Sequence, residues 1–165
     1  MADLLSHVLI AYAVLTITSW LVDELTRRWV AVGMGGAAIP DLVKIDIVLD
    51  DRLIEQALNI PFSYAPISSL AGVLLIAGII TLLFTHNRRR VYTLLVAGGV
   101  LSLVVDGLRA YADGHASFWL YPIWWRPPTP SLYVTADPRV LAGTLVVAVA
   151  VALADQYLVT ANTPE

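Results

Sequence analysis

Three clean apolar stretches, residues 4–22, 67–85 and 140–159, fix most of what this chain can fold into. Each is long enough to cross roughly 30 Å of hydrocarbon as a helix rising 1.5 Å per residue. A fourth, 91–105, reaches that length when continued to Asp106 or Arg109. Only 14% of the 165 residues are charged, against roughly 25% in an ordinary soluble domain, and the mean hydropathy is +0.75. The chain therefore reads as a single membrane domain over 1–165, with no length left for a separate soluble one. Residues 4–22 have no basic leader before them and no small-residue cleavage pattern after them, so they read as a retained span rather than a signal peptide. The absence of cysteine excludes disulfides, thiolate nucleophiles and thiolate metal sites. The net charge of -3 and the lack of a basic patch interleaved with aromatics argue against a nucleic-acid partner.

Between the first and third stretches lies a shorter apolar run, residues 29–39, about 16 Å as a helix. Gly33 and Ala37 are four apart, a spacing that lets helix backbones approach closely. Gly33, Gly35 and Gly36 match neither the dinucleotide fingerprint nor the Walker loop, so packing is the better reading. The run ends at Pro40-Asp41. Residues 41–59 set Asp46, Asp50, Asp51 and Glu55 among Leu42, Ile45, Leu49, Leu53, Ile54 and Leu58. That pattern predicts a short amphipathic helix in the interface, N-capped by Asp51, with its acidic groups outward. Residues 111–138 are dense in aromatics and prolines, among them Phe118, Trp119, Tyr121, Trp124, Trp125, Pro127 and Pro128, and read as a rim at headgroup level.

The expected fold is all-α: an integral membrane bundle of four to five transmembrane segments, spanning about 4–22, 29–42, 67–85, 91–109 and 139–159, the second of them short. The tight arginine-rich connections, Arg27-Arg28 and Arg88-Arg89-Arg90, are expected in the cytoplasm of a multi-pass cell-membrane protein. The N-terminus, the 41–66 loop and the aromatic loop then lie outside. Asp155, near the end of the last span, reads as a solvated carboxylate.

That topology gathers distant polar residues at one level. His7 opens the first span, Asp41 ends the second, Ser68 and Ser69 open the third, and Asp106 ends the fourth. Each alone is an ordinary helix-end residue, but ionisable groups near membrane depth tend to face the bundle interior and to pair. His7, Asp41 and Asp106 offer one imidazole and two carboxylates to a divalent metal ion that would activate water, with Asp41 and Asp106 as the catalytic carboxylates. Ser68, Ser102, Asp113 and His115 are supporting candidates. Asp113-Gly114-His115 is also an ordinary turn sequence, and His86 reads as a solvated loop residue.

In chain order, the candidate motifs are His7; Gly36-Ala37-Ala38-Ile39-Pro40-Asp41; Ser63-Tyr64-Ala65-Pro66; Ser102-Leu103-Val104-Val105-Asp106-Gly107; and Trp119-Leu120-Tyr121-Pro122. This succession resembles the YdjM-type membrane-bound metal-dependent hydrolases. The continuation Trp124-Trp125-Arg126-Pro127-Pro128-Thr129-Pro130 is similar to the version seen in halophilic archaea. The resemblance implies a multi-helix membrane fold, a Pro-Asp motif, a histidine opening the third span, and a His-x-x-x-Asp motif on one helix face. Here His7, Asp41 and Asp106 are present, while Ser68 and Ser102 stand where the two further histidines are expected.

Three functions suit these residues. The first is a hydrolase of this type acting on a lipid-like or phosphoester substrate at the outer face, with catalysis degenerate or lost; the second is a non-catalytic scaffold or accessory subunit packed with other membrane proteins. The third, a small transporter, rests on the broken second span.

Overall fold

The computed structural model describes residues 4–134 and 137–161. Among these, the chain is all-helical, with six α-helices, two 3-10 segments and no strand. In order they are α1 (Leu4–Ser19), α2 (Arg27–Ala37), the 3-10 segment Pro40–Ile47, α3 (Asp51–Leu58), the 3-10 segment Ala65–Ser68, α4 (Leu70–Leu82), α5 (Arg88–Gly107) and α6 (Pro138–Ala161).

Among the described residues, two helices are long and apolar enough to cross a membrane: α5, and α6 over Pro138–Leu158. The expected spans 4–22 and 67–85 fold as helices of 16 and 13 residues, about 24 and 20 Å at 1.5 Å per residue. Each shortening has a local cause. After Ser19 the chain leaves the helix through turns in which Leu21 and Val22 both bond to the Thr18 carbonyl. The third apolar stretch starts as a 3-10 turn carrying Pro66, and α4 begins only after Ser69, whose hydroxyl accepts from the Gly72 amide.

The pair α2 and α5 is the centre of the bundle. They run parallel, because Trp29 lies under Arg90 while Gly33 and Ala37 meet Gly98. The contact is backbone to backbone: a Cβ on Gly98 would sit 1.8 Å from the Gly33 carbonyl oxygen, and one on Gly36 would sit 2.1 Å from that of Leu95. Helix α4 packs antiparallel on α5, with Val73 against Gly99 and Tyr92 beside Gly78. Around this seam the core gathers Ile39, Val73, Ala77, Val91, Leu95 and Leu103. A second cluster, Leu15, Leu25 and Val30, joins α1 to α2.

Helix α6 lies outermost, against α1, and within its apolar stretch only 11% of residues are buried in the fold. At its far end Asp155 is not a free carboxylate: it accepts from Arg27 at 2.9 Å and from the Trp20 indole at 3.2 Å. The amphipathic helix forms as α3, but its N-cap is Asp50, whose side chain accepts from the Arg52 amide, and Asp51 is the first helical residue.

The aromatic loop is a hydrogen-bonded roof. Its Trp119 and Tyr121 carbonyls accept from Leu70 and Ala71, the first amides of α4. Tyr133 donates to the Val105 carbonyl at 2.8 Å, and its own carbonyl accepts from Ala110 beyond the end of α5. The loop thus supplies partners that both helix ends lack internally.

Candidate functional site

The ends carrying His7, Asp41 and Asp106 meet at one end of the bundle. His7 sits in the second turn of α1, 1% exposed. Pro40 ends the α2 trajectory and opens an eight-residue 3-10 segment, in which residues three apart eclipse. Asp41 and Lys44 are therefore on one edge, Nζ to Oδ1 2.6 Å. Asp106 projects from the last turn of α5, with its side chain 24% exposed.

The imidazole lies between the two carboxylates. His7 Nδ1 is 3.3 Å from Asp41 Oδ2, and Nε2 is 3.4 Å from Asp106 Oδ1. The Asp41 contact is aligned as a hydrogen bond, which assigns Nδ1 as the donor. The Asp106 contact is not aligned, so Nε2 has no hydrogen-bond partner. A ring nitrogen facing a carboxylate oxygen at this separation is favourable only with a proton between them.

Opposite ring edges face opposite carboxylates, so the three groups do not surround one point. An ion held by Nε2 and Asp106 would have Asp41 behind the ring. Zinc-type sites need three or four donors about 2.0–2.2 Å from one centre. Among the described residues, the one trio of such donors whose atoms all lie within 4.8 Å of one another is Asp46, Asp50 and Asp51, on the surface. The serines do not complete a shell either. Ser68 donates to the Ala65 carbonyl at 3.1 Å; Ser102, 1% exposed, has a hydroxyl without a protein partner. In this arrangement the residues do not fit a metal centre.

Above the cluster a cleft of about 240 Å³ is lined by Asp41, Ser68, Asp106, Arg109, Tyr111 and Trp119, among others. Lys44, Arg109 and Tyr111 are not among the site residues expected from the sequence, and Trp119 is expected there as part of the rim rather than as a wall of the cleft. Lys44 and Arg109 each follow an aspartate by three residues, a spacing visible in the sequence. Trp119 comes from the roof, its ring over Gly107, where a Cβ would lie 2.6 Å from the indole. Its Nε1 has no partner. Tyr133 lies beside the site; burial, then the Asp106 carboxylate, push its phenol up to about 12, so it remains a donor to Val105.

Asp113 and His115 are not brought to the cleft. They form a turn in the roof, where the His115 amide donates to Asp113 Oδ1 at 3.2 Å and Arg126 pairs with Oδ2. That guanidinium holds the Asp113 carboxyl below the usual carboxylate range. His86 is exposed at the opposite end of the bundle, next to Thr85.

No protein-family model matches the chain, and comparisons with curated proteins and with solved structures return no match.

Proposed function

We propose that this chain is a multi-pass membrane protein of the YdjM-like type in which the hydrolytic centre is replaced by a closed Asp–His–Asp cluster, and that it serves as a non-catalytic subunit of a membrane assembly. The observation that carries the loss of catalysis is His7 with its two ring nitrogens 3.3 and 3.4 Å from different carboxylates. Ser68 and Ser102 at the expected histidine positions support it, because a neutral hydroxyl is a weak ligand for a divalent ion.

The membrane reading is supported by the length and composition of α5 and α6 and by the large apolar surface of α6 that no other element covers. Within it, α1, α2, α4, α5 and α6 form a bundle of four to five spans, the short ones packed beside the long ones. Arg27, Arg28, Arg88, Arg89 and Arg90 gather at the end where α2 and α5 begin, which favours that end as cytoplasmic and the cleft as outer. One observation favours a second reading: Asp41 and Asp106 line a cleft whose other polar walls are Ser68, Arg109 and Tyr111, so both carboxylates reach a space a small substrate could enter. A hydrolase surviving in this form would use one of those carboxylates as general base.

Elemental analysis of detergent-purified protein separates the two. The non-catalytic reading expects no stoichiometric divalent ion and a thermal transition indifferent to chelator. One ion per chain, lost on Asp41→Ala or Asp106→Ala together with phosphoester hydrolysis, would establish the enzyme.

A further inference from the structure

Helix α3 divides its residues by chemistry around its axis. At 100° per residue, Leu53, Ile54, Ala57 and Leu58 fall on one side, and Asp51, Arg52, Glu55 and Gln56 on the other. An apolar face this well defined ordinarily packs on the protein. Here none of α3 is buried: Leu53 is 57% and Leu58 60% exposed, and the helix makes no substantial contact with another element. The approach to it repeats the pattern, with Ile47 and Val48 more exposed still. The segment leaves the bundle at the end where the roof presents Ile123, Trp124 and Trp125 to the exterior.

We propose that α3 and the chain entering it form a membrane-docking paddle, seated in the headgroup–acyl boundary of a zwitterionic bilayer beside the cleft. The inference rests on the membrane reading above and adds an element that lies on the bilayer rather than across it. Two observations select this occupant over a second copy or a soluble partner. The uncovered apolar surface of α3 continues the demand made by α6, whose Val146 and Leu153 are 68% and 61% exposed, so one apolar solvent serves both. The charge pattern selects the lipid: Asp46, Asp50, Asp51 and Glu55 outnumber Lys44 and Arg52, which disfavours a strongly anionic surface and suits neutral headgroups. Because Asp41 and Lys44 lie on the 3-10 segment that leads into α3, the paddle ties one wall of the cleft to the height of the membrane surface.

Single cysteines are clean probes, since the chain has none. Leu53→Cys, Leu58→Cys, Glu55→Cys and Gln56→Cys, with Val146→Cys and Leu153→Cys on α6, are labelled with a polarity-sensitive fluorophore and reconstituted in phosphatidylcholine vesicles containing a lipid-borne quencher, shallow for the α3 sites and mid-bilayer for the α6 sites. The paddle predicts quenching at 53 and 58 at least about threefold that at 55 and 56, and weaker seating when phosphatidylserine is added at low salt. Uniformly weak quenching on α3 with strong quenching on α6 overturns the paddle and leaves the membrane reading intact. Shielding at 53 and 58 that vanishes on diluting the protein into excess lipid overturns it in favour of a second copy. Absence of quenching on α6 as well overturns the membrane reading and the paddle together.

Discussion

His7 is the residue on which the site turns. Its ring separates two carboxylates that would otherwise repel, and Lys44 alone would remain to balance Asp41. Removing one member of a buried charged cluster is expensive because the others stay desolvated. His7→Ala is expected to lower stability by about 3 kcal/mol in an unfolding titration. Ser102→Ala is expected to stay within about 1 kcal/mol of the parent, since its hydroxyl has no protein partner to lose. A Ser102→Ala loss as large as that of His7→Ala would show that the hydroxyl holds something the cluster needs. At this scale the sequence was informative about the three ionisable groups, because a polar residue at the end of an apolar helix has few neighbours to choose from. It was silent on their relative placement. Whether a histidine and two carboxylates surround a point or line up across a ring depends on helix rotations that spacing does not set.

At the scale of elements, the α2–α5 seam is held by glycines of unequal importance. Gly98 faces the Gly33 backbone, whereas Gly35 has nothing within 4 Å of its missing Cβ. Gly98→Ala should push the helices apart and cost about 2 kcal/mol, while Gly35→Ala should be neutral or stabilising by up to about 1 kcal/mol through helix propensity. Equal effects would place the seam elsewhere. The small-residue spacing pointed to this contact in advance; the partner helix and its parallel direction were not legible, because any small face can receive any other. Helix ends were the least legible feature. The start of α4 is set by Ser69 and by carbonyls of Trp119 and Tyr121 some fifty residues away, and no local rule reads those. The roof has its own test. Tyr133→Phe deletes the bond to Val105, should cost about 1 kcal/mol, and should speed amide exchange over residues 108–134; unchanged exchange would mean that the roof is held by other bonds.

For the whole molecule, the bundle is polarised along its axis. One end carries the five arginines of the two tight connections, and the other carries the cluster, the cleft and the acidic segment. Asp155 and Arg27 bind the outermost helix to that basic end, an exposed pair expected to contribute at most about 1 kcal/mol. In oriented cells, a membrane-impermeant maleimide should reach His86→Cys only after permeabilisation and Glu55→Cys without it. The reverse pattern would turn the molecule over and put the cleft inside. Apolar length made an all-helical fold and two helices long enough to cross a membrane legible in the sequence, yet α1 and α4 proved shorter than their apolar runs, since turn and cap chemistry overrides hydropathy at the boundaries.

The measurement closest to the central claim is the nitrogen NMR spectrum of His7. With His86→Gln and His115→Gln in place it is the sole histidine. If the ring is closed between Asp41 and Asp106, both nitrogen signals stay unchanged by chelator and by added zinc or magnesium. A chelator-sensitive signal from one ring nitrogen, restored by adding the metal, would contradict the closed cluster and return the site to metal chemistry.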